Sequence, residues 1–147
     1  MTATLQVGDI VERLTDLLAL CREGERGFGN AAELAKQPPL RRILHAYSKQ
    51  RSRFANELQV EVTRLGGVVA FETIRPHWRS WSHASGSGGP DEFAIIAACI
   101  SAEDRTVREY EKLDTVELPP PLRTVLDRQR LAIIASRDRF RMLRTAA

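Results

Sequence analysis

The stretch QPPLRRILHAYSKQRSRFANELQVEVTRLGG, Gln37 to Gly67, decides the fold. Its apolar positions are Leu40, Leu44, Tyr47, Phe54, Leu58, Val62 and Leu65, with Arg51 in the same row. Steps of three, four and seven follow the helical period, so one face of a helix is apolar. Proline fits the first turn of a helix and not its interior, so Pro38-Pro39 mark a start. Glycine enters the left-handed cap without a steric penalty, so Gly66-Gly67 mark the end. The spacing predicts a helix over about 39–65.

Working outward, the same period recurs three times. Ile10, Leu14, Leu17, Cys21, Phe28, Ala32 and Ala35 predict a helix over about 9–36, with Asp9 and Glu12 as a capping-box-like start. Phe93, Ile96, Ile100, Glu103, Val107 and Tyr110 predict one over about 91–116. After Pro119-Pro120-Pro121, Leu122, Leu126, Gln129, Ile133, Phe140 and Leu143 predict a last helix over about 120–144. Each is about 25 residues, roughly 38 Å long. No convincing strand alternation appears.

Residues 66–90 differ in kind. They hold five of the nine glycines, both tryptophans and two of the three histidines. Phe71, Ile74, Trp78 and Trp81 form a short stripe, which predicts a short helix with Thr73 as cap and Pro76 in its first turn. Ser85 to Pro90 reads as a flexible turn. Short proline-marked turns imply antiparallel neighbours, and one long connection permits a crossover. The expected architecture is all-α: a ferritin-like four-helix bundle, two antiparallel hairpins joined by the crossover 66–90, in one domain over 1–147.

Composition agrees. The chain has 147 residues, 43% hydrophobic and 28% charged, which suits one globular domain and excludes intrinsic disorder. Cys21 and Cys99 lie in apolar helical patterns, where a buried reduced thiol is expected and a disulfide framework is not. The longest run of hydrophobic-class residues, Phe93 to Ile100, is too short for the roughly 20 residues that span a bilayer. No signal peptide is visible, so no membrane association and a cytoplasmic location in a bacterium-like cell are expected.

Ferritin-like bundles often bind two irons or manganeses, using a Glu from each of two helices and a Glu-x-x-His pair from each of the other two. This chain lacks that pattern. The residues three before His45, His77 and His83 are Arg42, Ile74 and Ser80, and the last helix has no glutamate. A polar seam remains, comprising Glu25, Gln50, Arg51, Glu103, Gln129 and Arg137. Glu103 sits in an apolar stripe, so it needs a partner or a raised pKa, and Arg51 and Arg137 are the expected partners. The preferred reading of the seam is a hydrogen-bonded core layer that sets helix register. The alternative is a reduced carboxylate site at Glu25, Glu57 and Glu103 holding iron or manganese. No catalytic residue and no cofactor is favoured.

Several stretches carry a family resemblance. They are Glu23 to Phe28 with Ala31-Ala32-Glu33, then Gln50 to Gln59, Arg64 to Gly67, and His77-Trp78. Further on come Ala102-Glu103-Asp104, Tyr110-Glu111, Leu118-Pro119-Pro120 and Asp138 to Arg144. In this joint order they resemble a bacterial ferritin-like family of unassigned function. The resemblance covers nearly the whole chain. It implies a four-helix bundle with the ferritin-like crossover, described as stress-associated and without an established activity. Some members of that family carry Glu where this chain has Gln50, and commonly His where it has Arg137. Both departures remove potential ligands.

Charge and aromatic residues supply the remaining expectations. The net charge is +3. From residue 121 on there are seven arginines against two aspartates, a net of +5. A basic stripe can meet an anion or nucleic acid, though no nucleic-acid motif accompanies this one. The row Phe71, Ile74, Trp78 and Trp81 either caps the core or forms a patch for self-association. The leading expectation is a non-catalytic bundle that forms a homo-oligomer and serves bacterial stress physiology. The alternatives are a metal-dependent enzyme or iron handler, and an anion- or nucleic-acid-binding module using the last helix.

Overall fold

The computed structural model describes residues 4–68, 85–86 and 89–146. Among these, four long helices form a bundle: α1 (Val7–Leu34), α2 (Pro38–Arg64), α3 (Glu92–Glu111) and α4 (Pro120–Ala146). Two short strands, β1 (Ser85–Gly86) and β2 (Gly89–Pro90), pair antiparallel. This minimal hairpin stands where a turn was expected; with two residues a strand, it has no alternation to read. The expected short helix around Phe71, Ile74, Trp78 and Trp81 lies outside the described residues.

The apolar stripes become the core. Every stripe residue predicted in α1 is buried. In α2, Leu40, Leu44, Arg51, Phe54, Leu58 and Val62 are buried, while Tyr47 and Leu65 are half-buried. Phe93 departs from expectation and is 57% exposed. It lies in the first turn of α3, ahead of Ile95 and Ile96, where the core begins.

Two apolar clusters divide the bundle by its ends. One joins Ile10 to Cys21 of α1, Phe54 to Val62 of α2, Val107 and Tyr110 of α3, and Leu122 to Ile133 of α4. The other joins Phe28 to Ala35, Leu40 and Leu44, Ile95 to Ile100, and Phe140.

The helix ends show how the boundaries arise. α1 starts two residues before Asp9. Gln6 is its N-cap and makes no side-chain cap bond, so the capping box is not formed. Asp9 instead sits in the first turn, where a carboxylate favours the helix dipole. Asp91 caps α3 by accepting from the Ala94 N–H at 2.7 Å. At the end of α2, Gly66 takes φ +83°, its N–H bonds the Thr63 carbonyl, and the Gly67 N–H bonds the Val62 carbonyl. That is a Schellman ending, and it needs glycine at the left-handed position.

Both hairpin turns share a device that the periodicity did not reveal. Pro38-Pro39-Leu40-Arg41 and Pro120-Pro121-Leu122-Arg123 repeat one pattern at the starts of α2 and α4. Each arginine reaches back to the end of the preceding helix. Arg41 donates to the Ala35 carbonyl at 3.0 and 3.2 Å. Arg123 donates to the Leu113 and Val116 carbonyls at 2.7 and 2.6 Å. α3 therefore stops at Glu111, not at 116 as expected. The chain turns over Lys112 to Thr115 and still buries Leu113 and Val116.

Candidate functional site

The largest fully buried side chain in the bundle is Arg51, only 1% exposed. It lies on the core face of α2, where the helical period places it between Leu44 and Leu58. α1 makes room with Gly24: a Cβ there would stand 3.3 Å from Cγ of Arg51. The guanidinium lies 5.1 Å from the centre of the Phe28 ring. Its two terminal nitrogens both engage the Glu103 carboxylate of α3. Nη1 donates to Oε1 at 2.7 Å and Nη2 donates to Oε2. Nη2 also donates to Ser136 Oγ of α4 at 3.1 Å, and Nε to Gln50 Oε1 at 3.3 Å. Ser136 has one hydroxyl proton, with Glu103 Oε2 and the Ile133 carbonyl both in reach. All four helices contribute to this layer, α2 with both Arg51 and Gln50.

Electrostatics close the layer. Burial alone would push the Arg51 guanidinium down, but the charge and hydrogen bonds of Glu103 outweigh it and hold its pKa above the ordinary value. The two-pronged arginine–carboxylate geometry is the strong form of such a pair. The layer is charge-neutral.

A second polar layer lies in the other half of the core. The Tyr110 hydroxyl donates to Gln129 Oε1 at 2.6 Å and lies 3.4 Å from the Cys21 thiol. Gln129, fully buried, donates through Nε2 to Glu57 Oε1 at 3.0 Å and to the Phe54 carbonyl at 3.3 Å. Arg128 pairs with the other Glu57 oxygen. The layer therefore runs from a buried thiol to a half-exposed carboxylate. Burial pushes both Cys21 and Tyr110 up, and it raises Cys99 well above the ordinary thiol range.

With this geometry in place, one comparison bears on it. Residues 9–114 match a family described as a domain of unknown function, DUF2383. The chain belongs to the DUF2383 family. No curated protein matches it. The match to DUF2383 spans α1 to α3, so Arg51 and Glu103 fall inside it. Ser136 and Gln129 of α4 fall outside.

In this DUF2383 chain the expected seam is divided. Arg51 holds Glu103 and donates to Gln50, and Gln129 is buried in the other layer. A turn centred near residue 118 would put Glu103 level with Ile133, yet it meets Ser136, three residues further along α4. The cause is the turn: residues 112–119 are not helical, so the register slips by about a turn. Gln129 accordingly belongs with Tyr110. Arg137, expected on Glu103, pairs with Asp104 at 3.4 Å on the surface side. Glu25 lies outside the layer, half-exposed and paired with Arg22 at 3.1 Å.

The three carboxylates of the alternative metal reading are thus held apart by different partners. Glu25 has Arg22, Glu57 has Gln129 and Arg128, and Glu103 has Arg51 and Ser136. Among the described residues no group of three or more His, Cys, Asp or Glu is placed to hold a metal ion. The patch Phe71, Ile74, Trp78 and Trp81 lies outside the described residues. The periodicity missed Glu23, buried and paired with Arg105. It also missed Ser136. Glu23 flanks the apolar stripe two residues after Cys21, which was the available signal; a single serine offers none. No helix is long and apolar enough to cross a membrane among the described residues.

Proposed function

We propose that this chain is a non-catalytic, self-associating bundle of the ferritin-like kind, in which a buried ion pair stands where metal-dependent relatives gather carboxylates. The observation carrying this reading is Arg51: both terminal nitrogens hold Glu103, a carboxylate only 1% exposed. A cationic guanidinium occupying that position repels a second cation and uses the acceptor oxygens that a metal would need.

The ferritin-like connection is supported by the two core clusters. α2 finishes in the cluster where α3 also finishes, and α2 and α3 both begin in the other. The two helices then run parallel, and the chain between them joins opposite ends of the bundle. Self-association is supported by the outward face of α4, where Leu131 is 60% exposed and Met142 is 72% exposed. A role in bacterial stress physiology, in the cytoplasm, rests on the family resemblance.

Elemental analysis of protein purified without chelator tests the metal-free reading. The expected result is less than stoichiometric iron and manganese. Stoichiometric metal, lost in Glu103→Ala, would sink it. Sedimentation at micromolar concentration tests self-association. The expected species is larger than a monomer, and Met142→Asp should shift it toward monomer. A monomer at all concentrations would end that part of the proposal.

A further inference from the structure

The positive charge of α4, conspicuous in the sequence, is largely neutralised in the fold. Arg123 pairs with Asp127, Arg128 with Glu57, Arg130 with Asp114, and Arg137 and Arg141 with Asp104. A further group of unneutralised cations lies on α2. Arg42, Lys49 and Arg53 of α2 are exposed and have no ion pair or side-chain hydrogen bond among the described residues. Arg139 and Arg144 of α4 are in the same condition. Between Pro38 and Asn56 the chain contains no Asp or Glu, so α2 offers these cations no partner before Glu57.

Helical geometry places the α2 cations on one surface. Steps of seven and four put Arg42, Lys49 and Arg53 in a single row, about 10 and about 6 Å apart along the axis. The row is opposite the buried Leu44, Arg51 and Leu58. The Glu57–Arg128 pair shows which flank of α4 meets α2, and Arg139 lies three turns further along that flank. Phe140 packs edge-on against Tyr47 with ring centres 5.4 Å apart, so Arg139 stands beside the row between Arg42 and Lys49. Ala46 and Ala135, both exposed, are the small residues beside it.

We infer that the outer face of α2, with the adjoining flank of α4, is a docking surface for the phosphodiester backbone of a nucleic acid duplex. Three observations select that partner. The unneutralised cations are mostly guanidinium, which suits phosphate geometry. Among the described residues no exposed Phe, Tyr or Trp stands on the row to stack an unpaired base, because Tyr47 packs inward against Phe28 and Phe140. No large apolar side chain is exposed between Arg42 and Arg53 for insertion into a bilayer. The binding is therefore independent of base sequence and governed by salt.

The test is fluorescence anisotropy of the full chain with a labelled DNA duplex. Four phosphate contacts give a log–log salt slope of about −3.6, so affinity should fall about 100-fold between about 50 and 200 mM salt. Arg53→Glu and Lys49→Glu should each weaken binding about 10-fold at the lower salt. Arg108→Glu removes the same charge from an exposed, unpartnered position on α3 and should change affinity by less than about twofold. Absence of binding at the lower salt overturns the inference. So does an equal loss in Arg108→Glu and Arg53→Glu, which would make net charge the cause. Binding to phosphatidylserine vesicles in place of the duplex also overturns it.

Discussion

Arg51 shows what a single residue decides. Its burial on α2 is tolerable only because Glu103 meets both terminal nitrogens. Removing the carboxylate leaves a cation in the core without a countercharge. Glu103→Ala is therefore expected to destabilise the fold by about 3–5 kcal/mol. The double change Arg51→Met with Glu103→Leu removes both charges and keeps the volume, so it should cost far less or stabilise. Urea unfolding of the three proteins decides, and a Glu103→Ala cost below about 1 kcal/mol would show that the pair contributes little. The pairing itself was legible, because a carboxylate and an arginine each sat in an apolar stripe. Ser136 was not, since its meeting with Glu103 depends on the length of the turn between α3 and α4.

Elements are set by their ends. Leu113 and Val116 leave their carbonyls beyond the last turn of α3, and Arg123 satisfies both. Arg123→Ala should lower stability by about 1–2 kcal/mol and leave the helix content nearly unchanged. Thermal unfolding by circular dichroism measures both quantities. At the other end, a Cβ on Gly67 would lie 2.6 Å from Cγ1 of Val11 and 2.9 Å from Cγ1 of Val62. Gly67→Ala should cost about 1–3 kcal/mol through that crowding, and Val11→Ala in the same chain should recover part of it. Failure to recover would place the cost elsewhere. The proline and glycine punctuation located these ends to within a few residues. The N-terminus of α1 was misjudged because acidic residues favour both a cap and a first turn, and only backbone geometry separates the two.

At the scale of the molecule, two apolar clusters are crossed by two polar layers. Cys21, Cys99 and Tyr110 are held protonated in these surroundings, chiefly by burial. Below their ordinary values, 9.0 for the thiols and 10.0 for the phenol, folded and unfolded chains keep the same protons. Above them the unfolded chain releases protons that the folded chain retains. Stability is thus fully present below about pH 9 and is lost as pH rises further. The urea midpoint should be flat up to about pH 8.5 and fall beyond it, and Tyr110→Phe should fall less steeply above about pH 10. An identical decline in that variant would refute the assignment to Tyr110.

The sequence by itself determined four helices, their apolar faces and two short turns. Those features arise from local physics: a period of 3.6, proline in first turns and glycine at one cap. It also determined that Arg51 and Glu103 were buried, because they share stripes with Leu and Ile. The tertiary structure alone decided which polar groups meet. Register across the bundle depends on a turn whose length periodicity does not measure, and a slip of about one turn gave Glu103 to Ser136 and Gln129 to Tyr110. The surface charge was decided in the same way. Arginines that look alike along α4 differ because only some face a carboxylate on a neighbouring helix, and the excess therefore appears on α2.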